Sequence, residues 1–367
     1  MEIKVVIGAN AGDEGKGLVS GSLARQAARE HKKTLTVFYN GTVQRAHSFG
    51  DNVYHCVAAG VEFGSDTFYN RMFVVDPIAL WLTNAHVYID PNCRIILPCD
   101  VLKNRTLEKS RGDKRHGSCG FGLFACVTRS KQPGFCVSAY ELANPYMLMT
   151  HLKSISKNYP ADYDDVYNTD NFMKAAAYIA ENCPIMEFDE VLNKNHYETI
   201  IYEGGQGLLL DQVNKDDFPH LTPSSVGMYN ISKEIEAYNC PVDLFYVSRT
   251  YMTRHGAGPM EAECAKEEIN PNIVDNVNQP NEWQGSLRFG RINLDTLYNR
   301  VKKDAAQYQN NANINMVFTH MNYTDHKIET INGRVPVIKP DFCKEIYVSD
   351  TKTHIEKEIN DGLEKTA

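Results

Sequence analysis

"IKVVIGANAGDEGKG", residues 3–17, decides the fold. Its first half, from Ile3 to Ile7, is apolar apart from Lys4 and reads as a buried strand. The glycine-rich turn then delivers the chain into "GLVSGSLARQAAREH" (17–31), which has helical spacing. The β-rich run "TLTVFYN" (34–40) follows. A strand, a turn, a helix and a strand in that order make a βαβ unit, which implies parallel strands and a right-handed crossover. The turn resembles a phosphate loop but breaks the pattern GxxxxGK[ST] at both ends. Gly17 follows Lys16 where a serine or threonine would hold magnesium, and Asn10 stands five positions before Gly15. On the loop alone, two roles fit its two acids. Asp13 can hold metal or move a proton beside bound phosphates, or Asp13 and Glu14 can be charges that complement the helix N-terminus.

The 367 residues are 43% hydrophobic and 23% charged with a net charge of -8, an ordinary globular composition. An acidic balance argues against nucleic acid or an acidic membrane as the main partner, because neutralising phosphates takes a basic excess. Ten cysteines are scattered without a CxxC pair, which points to reduced thiols and a cytoplasmic setting rather than to a zinc site. The start "MEIKVVIGAN" lacks a secretory leader, and no run of about 18 apolar residues occurs.

Further apolar, β-branched runs repeat the opening: "RMFVV" (71–75), "CRIILP" (93–98), "ETIIYEG" (198–204), "VDLFYVSR" (242–249) and "INMVFTHMN" (314–322). Several end in small or polar residues, where strands of an open α/β sheet meet ligands. The expected fold is α/β, a mostly parallel central sheet with helices on both faces, as one domain over residues 1–367. A helical insertion is expected over about 144–195, including a surface connection at 156–171, and an exposed helix over 350–365.

Seven blocks in this order resemble adenylosuccinate synthetases. "GANAGDEGKG" is similar to the family's GxQWGDEGKGK, and "NGTVQRAHS" (40–48) to GGxNAGHT. "HGSCGFG" (116–122) resembles GTTGRGIG, and "YEGGQGLLLD" (202–211) with "FPHLTPSS" (218–225) resembles FEGAQGxLLD and YPxVTSS. "SRTYMTRHGAGPMEAE" (248–263) is similar to Y-x-TRVGxGPFPTE, "LRFGRINLD" (287–295) to RRxRRxGWLD, and "VFTHMN" (317–322) to the base-recognising LTKLD.

The resemblance implies a ligase that joins L-aspartate to C6 of a 6-oxopurine nucleoside monophosphate, with Mg²⁺, in a homodimer. Asp13 would remove the N1 proton and hold the metal together with the Ala46 carbonyl; Lys16 would contact phosphate and His47 would stabilise the phosphoryl group in transit. The triphosphate would lie on Gly12, Glu14, Gly15, Lys16 and Gly17, with Thr319 and Asn322 near its base. The monophosphate would meet Gln44, Ser118, Cys119, Gln206 and Thr222, with Ser224 and Ser225 nearby and Arg129 reaching across a dimer interface. Aspartate would meet Ser286, Arg288 and Arg291, supported by Arg254. Asn322 replaces an aspartate that selects guanine, so an adenine triphosphate, ATP or dATP, is the expected donor in place of GTP. The acceptor stays open between IMP and dGMP, the latter used by some phage members. A triphosphatase without ligase activity is the competing reading; it has no use for the "GSCGFG", "YEGGQG" and "LRFGR" blocks together.

Overall fold

The computed structural model describes residues 1–158, 169–275, 277, 278 and 282–358. Nine strands form the central sheet: β1 (Glu2–Gly8), β2 (Thr34–Phe38), β3 (Asp66–Tyr69), β4 (Tyr88–Ile89), β5 (Thr199–Gly207), β6 (Val242–Arg249), β7 (Asn313–Thr319), β8 (Glu345–Val348) and β9 (Glu356–Lys357). Their order is β9-β8-β7-β6-β1-β5-β2-β3-β4, and every pairing is parallel except that of β8 with β9. A parallel strand is buried on both faces, which is why β1, β2 and β5 read as continuous apolar runs.

The two faces of β1 show how the layers are built. Ile3, Val5 and Ile7 point to one side, into a core completed by Phe188 and Val191 of one helix and Leu297 and Val301 of another. Val6 points the other way, against Val19, Leu23 and Ala24 of helix α1 (Lys16–Arg29). Helices therefore cover both faces, as the sequence predicts. A second core forms where β3 and β4 meet the helices Pro145–Asn158 and Thr169–Asn182, with Leu148, Leu152, Phe172 and Ile179 fully inside. Burying each such side chain contributes about 1.5–3 kcal/mol.

Three expectations change. The runs at 71–75 and 93–98 supply only Val74–Val75 and Arg94–Ile95, which pair with each other outside the central sheet. The charged stretch at 350–365 holds no helix in its described part; Glu356–Lys357 instead pairs with the open edge of β8, whose unpaired amides a charged strand can close. The remainder of that stretch, and most of the connection at 156–171, lies outside the described residues. No helix among the described residues is long and apolar enough to cross a membrane. All ten cysteines are free thiols.

Candidate active site

The C-terminal ends of β1, β5, β6 and β7 lie side by side, and the loop 8–17 rises between them, at the place where open α/β sheets bind ligands. Here β5 departs from register. Val6 pairs with Glu203 and Gly8 with Gly207, so Gly204, Gly205 and Gln206 face Ile7 alone. The extra residues bulge and re-aim side chains at the strand end.

Glu14 organises the loop from inside. Its Oε1 accepts from the backbone amides of Asn10 at 3.0 Å and Gly12 at 2.8 Å, and its Oε2 takes Lys16 Nζ at 2.9 Å. Both side chains of that ion pair are 2% exposed. Room for the carboxylate depends on glycine: a Cβ at Gly8 would stand 2.5 Å from Glu14 Oε2, and one at Gly207 would stand 2.6 Å from Glu14 Oε1. The Glu14 side chain thus faces the loop's own amides and Lys16. Its oxygens are spent within the loop, and Lys16 rests on it. Thr319 donates from Oγ1 to the Glu14 carbonyl at 2.8 Å and so anchors the loop.

Asp13 sits differently. It adopts the left-handed backbone conformation, φ 60°, between Gly12 and Glu14, and keeps 23% of its side-chain surface. Burial pushes its carboxyl above the usual range, against the opposing pull of His255, Arg249 and Lys16. Arg249 donates to its backbone carbonyl at 2.5 Å and pairs through its other end with Asp275 at 2.7 Å.

His47 starts a short strand, His47–Phe49, against the N-terminus of α1. A Cβ on Gly17 would come within 2.8 Å of the His47 backbone, which explains why the phosphate-loop pattern ends in glycine where serine or threonine would stand. The His47 ring lies with Nδ1 2.6 Å from Glu203 Oε1. Burial lowers its pKa to about 4, outweighing the attraction of Glu203. Burial alone would raise the Glu203 pKa, yet His47, Arg45 and Ser20 together hold it at about 2. Arg45 shares that carboxylate at 3.2 Å, donates to the Asn40 carbonyl at 3.1 Å and lies 3.6 Å over the Phe38 ring. With the anion balanced by an arginine, the neighbouring imidazole stays neutral in the ligand-free protein.

The expected acceptor residues divide. Gln206 takes a hydrogen bond from Asn40 Nδ2 at 3.0 Å, and its amide and that of Gln44 both lie beside Gly41, where a Cβ would meet them at 2.8 and 3.3 Å. Thr42, Thr222 and Ser224 each bury a hydroxyl that has no partner among the described residues. Orphaned hydroxyls such as these suit a phosphate or ribose. Ser118 is tied to Asn104 Oδ1 at 2.9 Å, and Cys119 is a half-buried thiol whose pKa burial raises. Their loop reaches the site because Gly117 packs against Gly256.

Arg129 lies inside the protein. It is 0% exposed, with Nε and Nη2 on Asp100 at 3.0 and 2.8 Å and Nη2 also on the Ile95 carbonyl at 2.8 Å. A fully enclosed guanidinium ties helix Leu123–Ser130 to helix Pro98–Arg111. Arg288 and Arg291 also carry carboxylates already, Glu263 for the first and Glu268 and Glu329 for the second. Ser286 is exposed beside them. Arginines with no carboxylate within ion-pairing distance, among the described residues, include Arg254 and Arg300. Arg254 donates to three carbonyls, and Arg300 donates to the Ala9 carbonyl and Asn10 Oδ1, both at 2.7 Å. These two line a cavity of about 170 Å³ beside Asn10 and Ala11, with Arg291 on its wall. Sequence reasoning gave no role to Arg300, Arg249, His255 or Glu203; only Arg300 lay outside the quoted blocks.

No cluster of three or more His, Cys, Asp or Glu among the described residues forms a ready-made metal cage. The donors that remain are hard oxygens, the partly open Asp13 carboxylate foremost, which suits magnesium completed by phosphate oxygens rather than zinc.

The chain matches the family model of adenylosuccinate synthetase over residues 5–279. Among curated relatives it is 25% identical to the adenylosuccinate synthetase of Clostridium botulinum (strain Alaska E43 / Type E3) over 300 residues, 73% of this chain and 67% of that one. It is 27% identical to that of Shewanella amazonensis over 286 residues, 71% of this chain and 65% of the relative. To the enzyme of Neisseria meningitidis serogroup A it is 25% identical over 374 residues, 93% and 81%. Among solved structures, fully ligated adenylosuccinate synthetase from Plasmodium falciparum superposes with a TM-score of 0.70 at 16% identity, covering 96% of this chain and 87% of that one. The succinoaminodeoxyadenylate synthetase of cyanophage S-2L, bound to dGMP and dATP, gives 0.63 at 12% identity, covering 97% and 95%. These two likenesses show the nine-strand α/β fold, and with the match over three quarters of its length the chain belongs to the adenylosuccinate synthetase family.

Proposed function

We propose that this ligase joins L-aspartate to C6 of a 6-oxopurine nucleoside monophosphate, IMP or dGMP, with an adenine nucleoside triphosphate as phosphoryl donor. One observation carries the reading: the loop sets apart two carboxylates, Glu14 locked to the loop's own amides and Lys16, Asp13 left partly open at a strand end. A loop that only cradled phosphate would gain nothing from the second, open acid.

Asp13, raised by burial, is suited to take the N1 proton. The resulting O6 anion attacks the γ-phosphorus, the P–O bond to the nucleoside diphosphate breaks, and the aspartate amine then displaces phosphate from C6. His47 presents Nδ1–H to Glu203, so its Nε2 is the edge left for the phosphoryl group, and incoming phosphate charge favours the imidazolium that steadies it. Magnesium, held by Asp13 and the Ala46 carbonyl, would neutralise phosphate charge. Gln44, Gln206 and the orphaned Thr222 hydroxyl would hold the monophosphate. Asn322, exposed just past β7, offers both an acceptor and a donor, matching N6 and N1 of adenine. A homodimer follows from the family alone.

The test is a matrix of IMP, GMP and dGMP against ATP, dATP and GTP, with aspartate, followed by phosphate release and mass of the product. Succinyl-purine product from one acceptor with ATP or dATP is expected. Phosphate release that ignores both aspartate and the acceptor would leave only a triphosphatase.

A further inference from the structure

Beyond the strand Met252–Arg254 the chain runs "RHGAGP", which follows the family's RVGxGP except that His255 stands in place of valine. The reaction as argued above does not use it. Even so, His255 Nε2 lies 3.9 Å from Asp13 Oδ2, with the imidazole 15% exposed, and its Nδ1 is buried with no hydrogen-bond partner among the described residues.

The backbone carrying His255 is clamped on both sides. Thr253 Oγ1 donates to the Gly12 carbonyl at 3.5 Å, which ties this strand to the loop. Arg254 spends its guanidinium on the carbonyls of Ala257, Pro259 and His220. Gly256 and Gly117 pack backbone to backbone, so closely that a Cβ on Gly117 would stand 2.7 Å from the Ala257 nitrogen. Asp13, by contrast, is held only through its main chain. Arg249 takes its carbonyl, Lys16 is engaged by Glu14, and no donor among the described residues hydrogen-bonds the Asp13 carboxylate.

A general base must meet its proton in one orientation, and an error of about 1 Å can cost on the order of 100-fold in rate. Building on the ligase reading, we infer that His255 is a positioning residue for Asp13: the ring, fixed by its clamped backbone, aims Nε2–H at one carboxylate oxygen and leaves the other for the purine N1–H. In this tautomer the buried Nδ1 is an acceptor without a donor, which is a cheaper omission than an orphaned N–H. A valine is smaller and offers no N–H donor.

Turnover of wild type, His255→Val and His255→Gln is compared, with Asp13 orientation read independently from crystal structures of wild type and His255→Val. Expected is a fall in kcat of roughly 10- to 100-fold for His255→Val, with the KM for triphosphate changed less than about twofold. His255→Gln, whose amide N–H reaches a similar place, recovers most of the loss. An Asp13 carboxylate in the same rotamer in both crystals, full kcat in His255→Val, or a glutamine no better than the valine overturns the inference. A wild type with no aspartate-dependent turnover sinks the ligase reading instead, and the crystals still decide the positioning.

Discussion

Replacing Glu14 with alanine puts the internal organisation of the loop to a quantitative test. The change strands a Lys16 ammonium that is almost fully enclosed and takes the acceptor from the amides of Asn10 and Gly12. Removing one member of a buried ion pair costs about 3–5 kcal/mol. The two amides would add about 1–3 kcal/mol each if nothing relaxed, but water entering the vacated space can satisfy them, so the ion-pair figure is the working value. With an unfolding entropy of about 2.1 cal/mol/K per residue, a 367-residue chain gains about 0.8 kcal/mol/K, so Tm should fall by about 4–6 °C. Scanning calorimetry of both proteins without ligand measures this. Repeating the scan with inorganic tripolyphosphate adds a second reading. A polyanion can take the place of the missing carboxylate against Lys16 and the amides, so it should raise the variant's Tm more than that of wild type. A ligand-free shift below about 1 °C, or no extra response to the polyanion, refutes the internal role of Glu14.

Other outcomes follow from the same geometry. Arg129→Met, which removes the buried partner of Asp100, should lower stability by about 3–5 kcal/mol in urea melts while the KM for each nucleotide stays within about twofold, because the guanidinium is fully enclosed and spent on Asp100. His47 is neutral in the folded protein down to about pH 4, whereas unfolded it binds a proton below about 6.5, so its contribution to stability falls as pH drops through that window. Asp304, raised to about 6 mainly by burial, works with the opposite sign between about pH 6 and 4. The comparison must therefore be wild type against His47→Gln, in which Asp304 cancels: wild type should gain on the variant by up to about 3 kcal/mol in urea melts from pH 4 to 6.5. Asn322→Asp should move the donor preference from ATP towards GTP by about tenfold or more in kcat/KM, and an unchanged ratio removes Asn322 from base recognition. Asp13→Asn should abolish acceptor-dependent phosphate release while triphosphate binding by calorimetry persists; undiminished turnover ends the ligase reading.

The centre of the fold was legible because Ile3–Ile7 and its parallel neighbours are buried on both faces, and burial on both faces writes itself as an uninterrupted apolar run. The edges were not. Glu356–Lys357 is a strand only because β8 offers an unpaired edge, a fact that charge pattern cannot carry. Within the site, glycine spacing located the loop but not the division of labour between its acids, since which carboxylate turns inward depends on space left by Gly8 and by Gly207, about 200 residues later. The burial of Arg129 was not legible, because nothing in sequence shows that Asp100 waits opposite it. Arg300 went unseen because it rises from a helix with its own apolar stripe and meets the loop only in three dimensions.

The contact between Gly17 and His47 has a mechanical consequence. With the first turn of α1 resting directly on that residue's backbone, the proposed cradle for the triphosphate and the His47 imidazole would move as a single rigid piece. Grafting a hydroxyl onto position 17 to imitate an ordinary nucleotide hydrolase would wedge the two apart, so this chain can acquire a better metal ligand there only by surrendering the alignment of its own histidine.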